Sequence, residues 1–180
     1  MKRCFWVDEK SEIYTKYHDE EWGIPKYDDI ELFELLVLES FQAGLSWITV
    51  LKKREAFRIA FDNFDVKKVS NYGENKIEEL LQNPQIIRSK GKINAAINNA
   101  KFFIEIQKEF GSFSNYIWNF TDGKVIKNTS GKTIVSSPLS DKFSIDLKKR
   151  GMKYVGTVII YSYLQAIGVL DDHDKDCFKY

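Results

Sequence analysis

Cysteine and histidine are scarce in this chain of 180 residues, with two of each, and proline occurs only three times. So few cysteines exclude a small disulfide-stapled module. No apolar run approaches the roughly 20 residues that a membrane-spanning helix needs, so a membrane is not an expected partner. The opening Met1-Lys2-Arg3-Cys4 lacks the apolar core of a signal peptide, and the expected location is the cytoplasm. Charge of one sign is also missing: 27 basic and 26 acidic residues leave a net charge of +1. Bulk electrostatics therefore attracts no polyanion, and any nucleic-acid surface must be local. There is no internal repeat and no low-complexity tract. What remains, 43% hydrophobic and 29% charged residues, is the composition of a globular protein with one substantial core and too little chain for two independent ones.

Apolar residues recur at helical spacing. Ile93, Ile97, Ala100 and Ile104 share one face of a helix predicted from a start signal at Ser89 to a stop at Gly111. Similar punctuation predicts helices after Asp28-Asp29 through Phe41, after Ser46 from Trp47 to Phe57, after Ser140 to Arg150, and between Gly156 and Gly168. The expectation is seven or so helices. Strand candidates are few, with 124–126 and 133–135 the best, and the polar stretch 121–138 reads as a long loop.

The two cysteines and two histidines form two pairs, Cys4 with His18 and His173 with Cys177, one at each end of the chain. The i, i+4 spacing of the second pair points both side chains the same way, as a shared tetrahedral ion requires. Spacing alone leaves open the alternative of two small buried thiols and two capping histidines. If zinc binds, four protein ligands leave no place for an activated water, so its role is structural. Within the helix from about Ile30, Glu39 lies on the apolar stripe with Leu35 and Leu36, whereas Glu34, about 140° around the helix, is expected to be solvated. A buried carboxylate is costly without donors or a cation. It either caps backbone amides or receives a ligand. Directly after it, Gln42-Ala43-Gly44-Leu45-Ser46-Trp47 makes a turn presenting a leucine and then a tryptophan, while Trp6, Tyr14, Tyr17 and Trp22 supply aromatic faces near His18. Such aromatics are commonly core, yet a flat cationic ring needs this combination of stacking faces and a carboxylate.

The residues Arg3-Cys4 with Trp6, Tyr17-His18-Asp19 to Glu21-Trp22-Gly23, the run from Gln42 to Glu55, Ile86-Ile87-Arg88 with Gly91-Lys92-Ile93, and Lys148 to Gly151 with Val155-Gly156-Thr157 carry a further inference. In these the sequence closely resembles the constitutive bacterial 3-methyladenine DNA glycosylases of the helix-hairpin-helix superfamily. The resemblance implies an all-α fold with a helix-hairpin-helix lobe over 28–120. A zinc-stapled lobe, residues 1–27 with 121–180, would join the two termini. It implies structural zinc on Cys4, His18, His173 and Cys177, a base pocket of Tyr14, Tyr17, Glu39 and Trp47 with Trp6 beside it, and a monomer acting on alkylated double-stranded DNA. A base inside a duplex must be extruded before it can be reached. Gln42, Gly44 and Leu45 are the candidates to plug the gap, and hairpin amides around Ile86 to Arg88, with Lys90 and Lys92, the candidates for phosphate contact. Lys148, Lys149, Arg150 and Lys153 extend that basic face. Where the family tends to place a glycine before the Ile-Ile pair, this chain has Asn83-Pro84-Gln85. No aspartate occurs between Asp65 and Asp122, so the acid that many superfamily members use beyond the hairpin is missing, and Glu39 is the candidate for base recognition with catalytic consequence. No nucleophilic lysine stands out, so simple hydrolysis without strand cleavage is expected. Two rivals are a non-catalytic DNA-binding module and a zinc deaminase, the latter lacking its signature motifs.

Overall fold

A computed structural model describes residues 1–180, folded as a helical protein. Ten α-helices follow one another: α1 (Glu12–Glu20), α2 (Asp29–Gln42), α3 (Trp47–Leu51), α4 (Arg54–Ala60), α5 (Val66–Ser70), α6 (Glu74–Gln82), α7 (Lys90–Phe110), α8 (Phe113–Trp118), α9 (Pro138–Arg150) and α10 (Thr157–Ala166). The extra helices are short, none longer than the nine residues of α1 and α6, and so fall below the roughly 11-residue window over which a helical period is read. The long helix α7 matches its expected limits, with Gly111 at φ 84° ending it in the left-handed region.

Helix α2 sits at the centre. Every residue from Leu32 to Phe41 is buried, because α3, α7, α8 and α10 pack around it. A helix covered on all sides has no solvent stripe. That corrects the reading of Glu34, which is buried and receives both Nε and Nη2 of Arg58 instead of facing water. The Asp28 side chain caps α2 by accepting from the amides of Ile30 and Glu31, and Asp29 reaches across to accept from the first amides of α8, Phe113 and Ser114.

Three other boundaries differ from expectation. The helix predicted over Trp47 to Phe57 is interrupted at Lys52 and Lys53, giving α3 and α4. Helix α9 begins three residues earlier than Ser140 suggests: Pro138 fills the first position, where no amide is needed, and Ser137 and Ser140 exchange side-chain and backbone bonds in a capping box. The expected strand at 133–135 is not one. Instead β1 (Ile126–Lys127) pairs in parallel with β2 (Leu170–Asp171), so the long loop is tied to the segment after α10.

The main apolar cluster runs from Leu32 to Leu170, while a second, smaller one gathers Cys4, Val7, Tyr17, Trp22, Leu51 and Cys177. Around the latter the two ends of the chain are laced together. The amide of Phe178 donates to Lys2 O, the amide of Phe5 to Asp174 Oδ2 at 2.7 Å, and Lys179 Nζ to Asp19 O at 2.9 Å. Where residues 23–26 cross the end of α10, Gly23 N donates to Gln165 O and Lys26 N to Ile167 O. Gly168 makes that crossing close. Its φ is 73°, and a Cβ there would stand 2.3 Å from Ile24 C and Pro25 N, both backbone atoms. Gly168→Ala is therefore expected to lower unfolding free energy by about 3 kcal/mol or more, through a left-handed penalty and a backbone clash together. Chemical denaturation checks this, and a midpoint equal to wild type would contradict the close crossing.

Candidate active site and metal centre

A cavity of about 780 Å³ opens beside the C-terminal half of α2. Trp6, Tyr14, Tyr17, Trp22, Glu39 and Trp47 line its inner end, together with Gln42. The rings form a connected wall: Trp6 lies 5.1 Å from Tyr14 and 5.0 Å from Trp22, and Tyr17 lies 5.4 Å from Trp47, centroid to centroid. The outer end is bounded by Thr133, Ile134 and Val135, so the stretch read as a strand is instead a wall of the cavity.

Two buried polar atoms at the aromatic inner end of this cavity have no hydrogen-bond partner, Oε2 of Glu39 and the indole Nε1 of Trp47. Buried polar groups are nearly always satisfied, so an unpaired acceptor and an unpaired donor at one apolar site point to a ligand that supplies the complement of both. Glu39 meets no cation here. Burial alone pushes its carboxyl up to about 8, so near neutrality it holds a proton until a positive charge enters. Burial, with the field of Glu39 second, also raises the phenols of Tyr14 and Tyr17. The sequence reading of a capping acid is thus set aside: no backbone amide reaches Glu39 Oε2.

Directly behind this wall, Cys4, His18 and Cys177 bring their ligand atoms within 4.8 Å of one another, all three residues buried. His173 is the neighbour of that group, its ring 5.4 Å from that of His18. Its Nε2 is buried without a partner. Each imidazole is held at Nδ1 by a carboxylate, His18 by Asp19 at 2.7 Å and His173 by Asp171 at 2.8 Å. Those contacts leave Nε2 as the ligating atom of each ring, that of His18 3.4 Å from Cys177 Sγ and that of His173 without a partner, the arrangement that orients histidine ligands generally. Asp19 is kept anionic, its carboxyl down at about 2, chiefly by its hydrogen bonds from Arg3. Burial keeps His18 neutral, the ligating form, and pushes the Cys4 thiol up to about 12. The amide of Asp174 donates to Cys4 Sγ at 3.4 Å but does not offset burial, whereas a divalent cation would favour the thiolate. The donor set therefore fits a metal. The two supporting aspartates escaped the sequence reading, although Asp19 follows His18 directly and Asp171 precedes His173 by two.

Gly44 and Leu45 are exposed on the turn after α2, and Gly44 at φ 81° uses the freedom only glycine has. Between α6 and α7 the hairpin of residues 83–89 leaves Arg88 and Lys90 exposed. It manages without the family's glycine. Asn83 Oδ1 accepts from Gln85 N at 2.9 Å in an Asx-turn, and Lys53 Nζ donates to the carbonyls of Pro84 and Gln85. Two basic residues are diverted from the expected phosphate face. Arg150 pairs with Glu109 and Asp146, and Lys92 donates to the carbonyls of Phe41 and Ala43.

Comparison with known proteins agrees with this geometry. A family model described as methyladenine glycosylase matches residues 6–180. DNA-3-methyladenine glycosylase 1 of Escherichia coli is 45% identical over 183 residues, covering 100% of this chain and 97% of the relative. A crystal structure of 3-methyladenine DNA glycosylase I superposes with a TM-score of 0.93 at 46% identity, over 98% of each chain. A substituted 3-methyladenine DNA glycosylase I in complex with 3-methyladenine gives 0.92 at 37% identity, over 99% of this chain and 97% of the other. With its fold, its aromatic cavity and nearly its full length in common with these proteins, the chain belongs to the methyladenine glycosylase family.

Proposed function

We propose that this chain is a DNA-3-methyladenine glycosylase, hydrolysing the N-glycosidic bond of 3-methyladenine in alkylated double-stranded DNA without cutting the strand. The observation that carries this is the pair of unpartnered buried atoms, Glu39 Oε2 and Trp47 Nε1, inside one aromatic cavity. A methylated adenine offers amino hydrogens and a positive charge to the carboxylate, ring nitrogens to the indole N–H, and flat faces to Trp6, Tyr14, Tyr17 and Trp47. Methylation at N3 makes the base cationic. The electrons of the breaking bond pass to the ring and neutralise it, water adds to C1′ and loses a proton, and an abasic site remains. The base needs no proton from the enzyme, in keeping with the missing acid between Asp65 and Asp122. Neutral adenine makes no ion pair with Glu39 and is left in the duplex. The lesion is extruded to reach the cavity, with Gln42, Gly44 and Leu45 plugging the gap and the hairpin, with Arg88 and Lys90, holding phosphates.

The same reading assigns zinc to Cys4, His18, His173 and Cys177, in a lobe of residues 1–27 with 121–180 set beside a lobe of 28–120. When bound, the ion supplies cohesion between the chain ends and no reactive water. Trp6 and Trp22 lie against His18 and His173, at 5.4 Å and 4.7 Å respectively, so the metal cluster also buttresses the wall of the cavity. Elemental analysis is expected to give about one zinc per chain. Removing the ion by chelation, or one ligand by Cys177→Ser, should cost several kcal/mol of stability, because metal binding and folding are coupled. Full stability in the metal-free protein would contradict the assignment.

Glu39→Gln keeps the shape and removes the charge. Single-turnover excision of 3-methyladenine should fall about tenfold to over a hundredfold, the roughly 1.5–3 kcal/mol of a charge-assisted hydrogen bond. Stability should move the other way. The folded protein holds a proton on Glu39 up to about pH 8 that the unfolded chain releases near the ordinary carboxyl value of 4.5. Wild-type stability thus declines as pH rises between those values, and this contribution is absent from the glutamine variant. Melting curves across that range, with excision measured on the same samples, check both signs. Undiminished excision in folded variant would remove Glu39 from the mechanism.

A further inference from the structure

Helix α2 ends in a turn that carries Leu45, and the helix has no basic residue of its own in the last turn. Carbonyls at a helix C-terminus lack partners within the helix and form the negative end of its dipole. Here the missing cation arrives from far along the chain. Lys92 Nζ donates to Phe41 O at 2.8 Å and to Ala43 O at 2.6 Å, bridging the last turn of α2 and the start of the turn beyond it. Lys92 is half-buried, whereas Lys90, on the same first turn of α7, is exposed. A cation there faces the positive end of its own helix, and α7 has no acidic residue in its first turn to offset it. The two carbonyls supply that offset. Within the turn itself, Leu45 N donates to Gln42 O at 2.6 Å and Gln42 Nε2 reaches Leu45 O at 3.5 Å, so the loop is closed locally but moored to the rest of the protein by Lys92.

We propose that Lys92 is a positioning residue, mooring the Gln42–Leu45 turn to the first turn of α7 so that the wedge and the phosphate-binding hairpin engage one duplex in fixed register. The inference rests on the glycosylase reading above. Lys92 does not bind DNA phosphate; its donors are already directed at protein carbonyls. A lesion that must be extruded from a duplex requires the mooring, and a base already free of the duplex does not.

The test compares wild type with K92M and K90M in four measurements: thermal midpoint, affinity for free 3-methyladenine, single-turnover excision from a duplex and from a single strand of the same sequence, and the salt dependence of duplex binding. For K92M we expect free-base affinity within twofold of wild type, duplex excision reduced about tenfold, and single-strand excision reduced less than twofold. The slope of log affinity against log salt should equal that of wild type. K90M should instead lose about one unit of slope, as removal of a phosphate contact does. If K92M fails to fold, K92Q, whose shorter neutral amide gives up the ammonium bridge to the two carbonyls while staying polar, carries the same comparison. A reduced salt slope in the variant at 92, or equal losses on duplex and single strand, would overturn the positioning role. Duplex excision equal to wild type would overturn it as well. Wild-type protein that releases no 3-methyladenine overturns the glycosylase reading, and this inference with it.

Discussion

The enclosure of α2 from Leu32 to Phe41 is the constraint on which the other features depend. Beyond its first turn, a helix with no solvent face has nowhere to place polar groups except against dedicated partners. Arg58 meets Glu34, Tyr163 donates to Leu32 O, and Ser40 donates to the carbonyls of Leu36 and Tyr154. Glu39 is the exception. It is the one buried carboxylate of the helix that the protein leaves without a partner, and it is also the one that faces the cavity. The exception is informative because every neighbouring polar group on the helix is satisfied.

Two lysines serve comparable ends at the hairpin and at the turn after α2. Lys53 holds the carbonyls of the hairpin and Lys92 those of the turn after α2. In both places a loop lacking regular hydrogen bonding is given its shape by an ammonium group from a distant segment. Such a group has three donors and no directional fork, which suits convergent carbonyls better than a guanidinium.

Much of the site was readable in the sequence because its residues are few of their kind or sit in contiguous segments. Four cysteine and histidine residues in a chain with no others, and an acid on an apolar stripe ahead of a glycine turn, stand out against their surroundings. Long helices such as α7 were legible for the same reason of regular spacing. What was not legible depends on contacts across the chain. Glu34 looks solvated on a helical wheel, and only the packing of α4 against α2 gives it Arg58. Lys92 looks like any exposed cation near a hairpin until the end of α2 is placed beside it. Thr133 to Val135 carry strand-forming side chains, yet the partner that accepts a ladder from β1 is Leu170–Asp171, a pairing no local pattern encodes.

The lacing of Lys2, Cys4 and Phe5 to residues 173–178 also has a bearing on how the protein is made. Closing a loop of nearly the whole chain is entropically demanding, and no local contact can substitute for it. During synthesis the helices around α2 can begin to collapse as they emerge, before His173 and Cys177 have been made. The aromatic wall that rests on His18 and His173 is accordingly completed after those helices have formed. A partly made chain would own the hairpin of residues 83–89 before it owned a finished cavity, so the two features mature in that order in the life of each molecule.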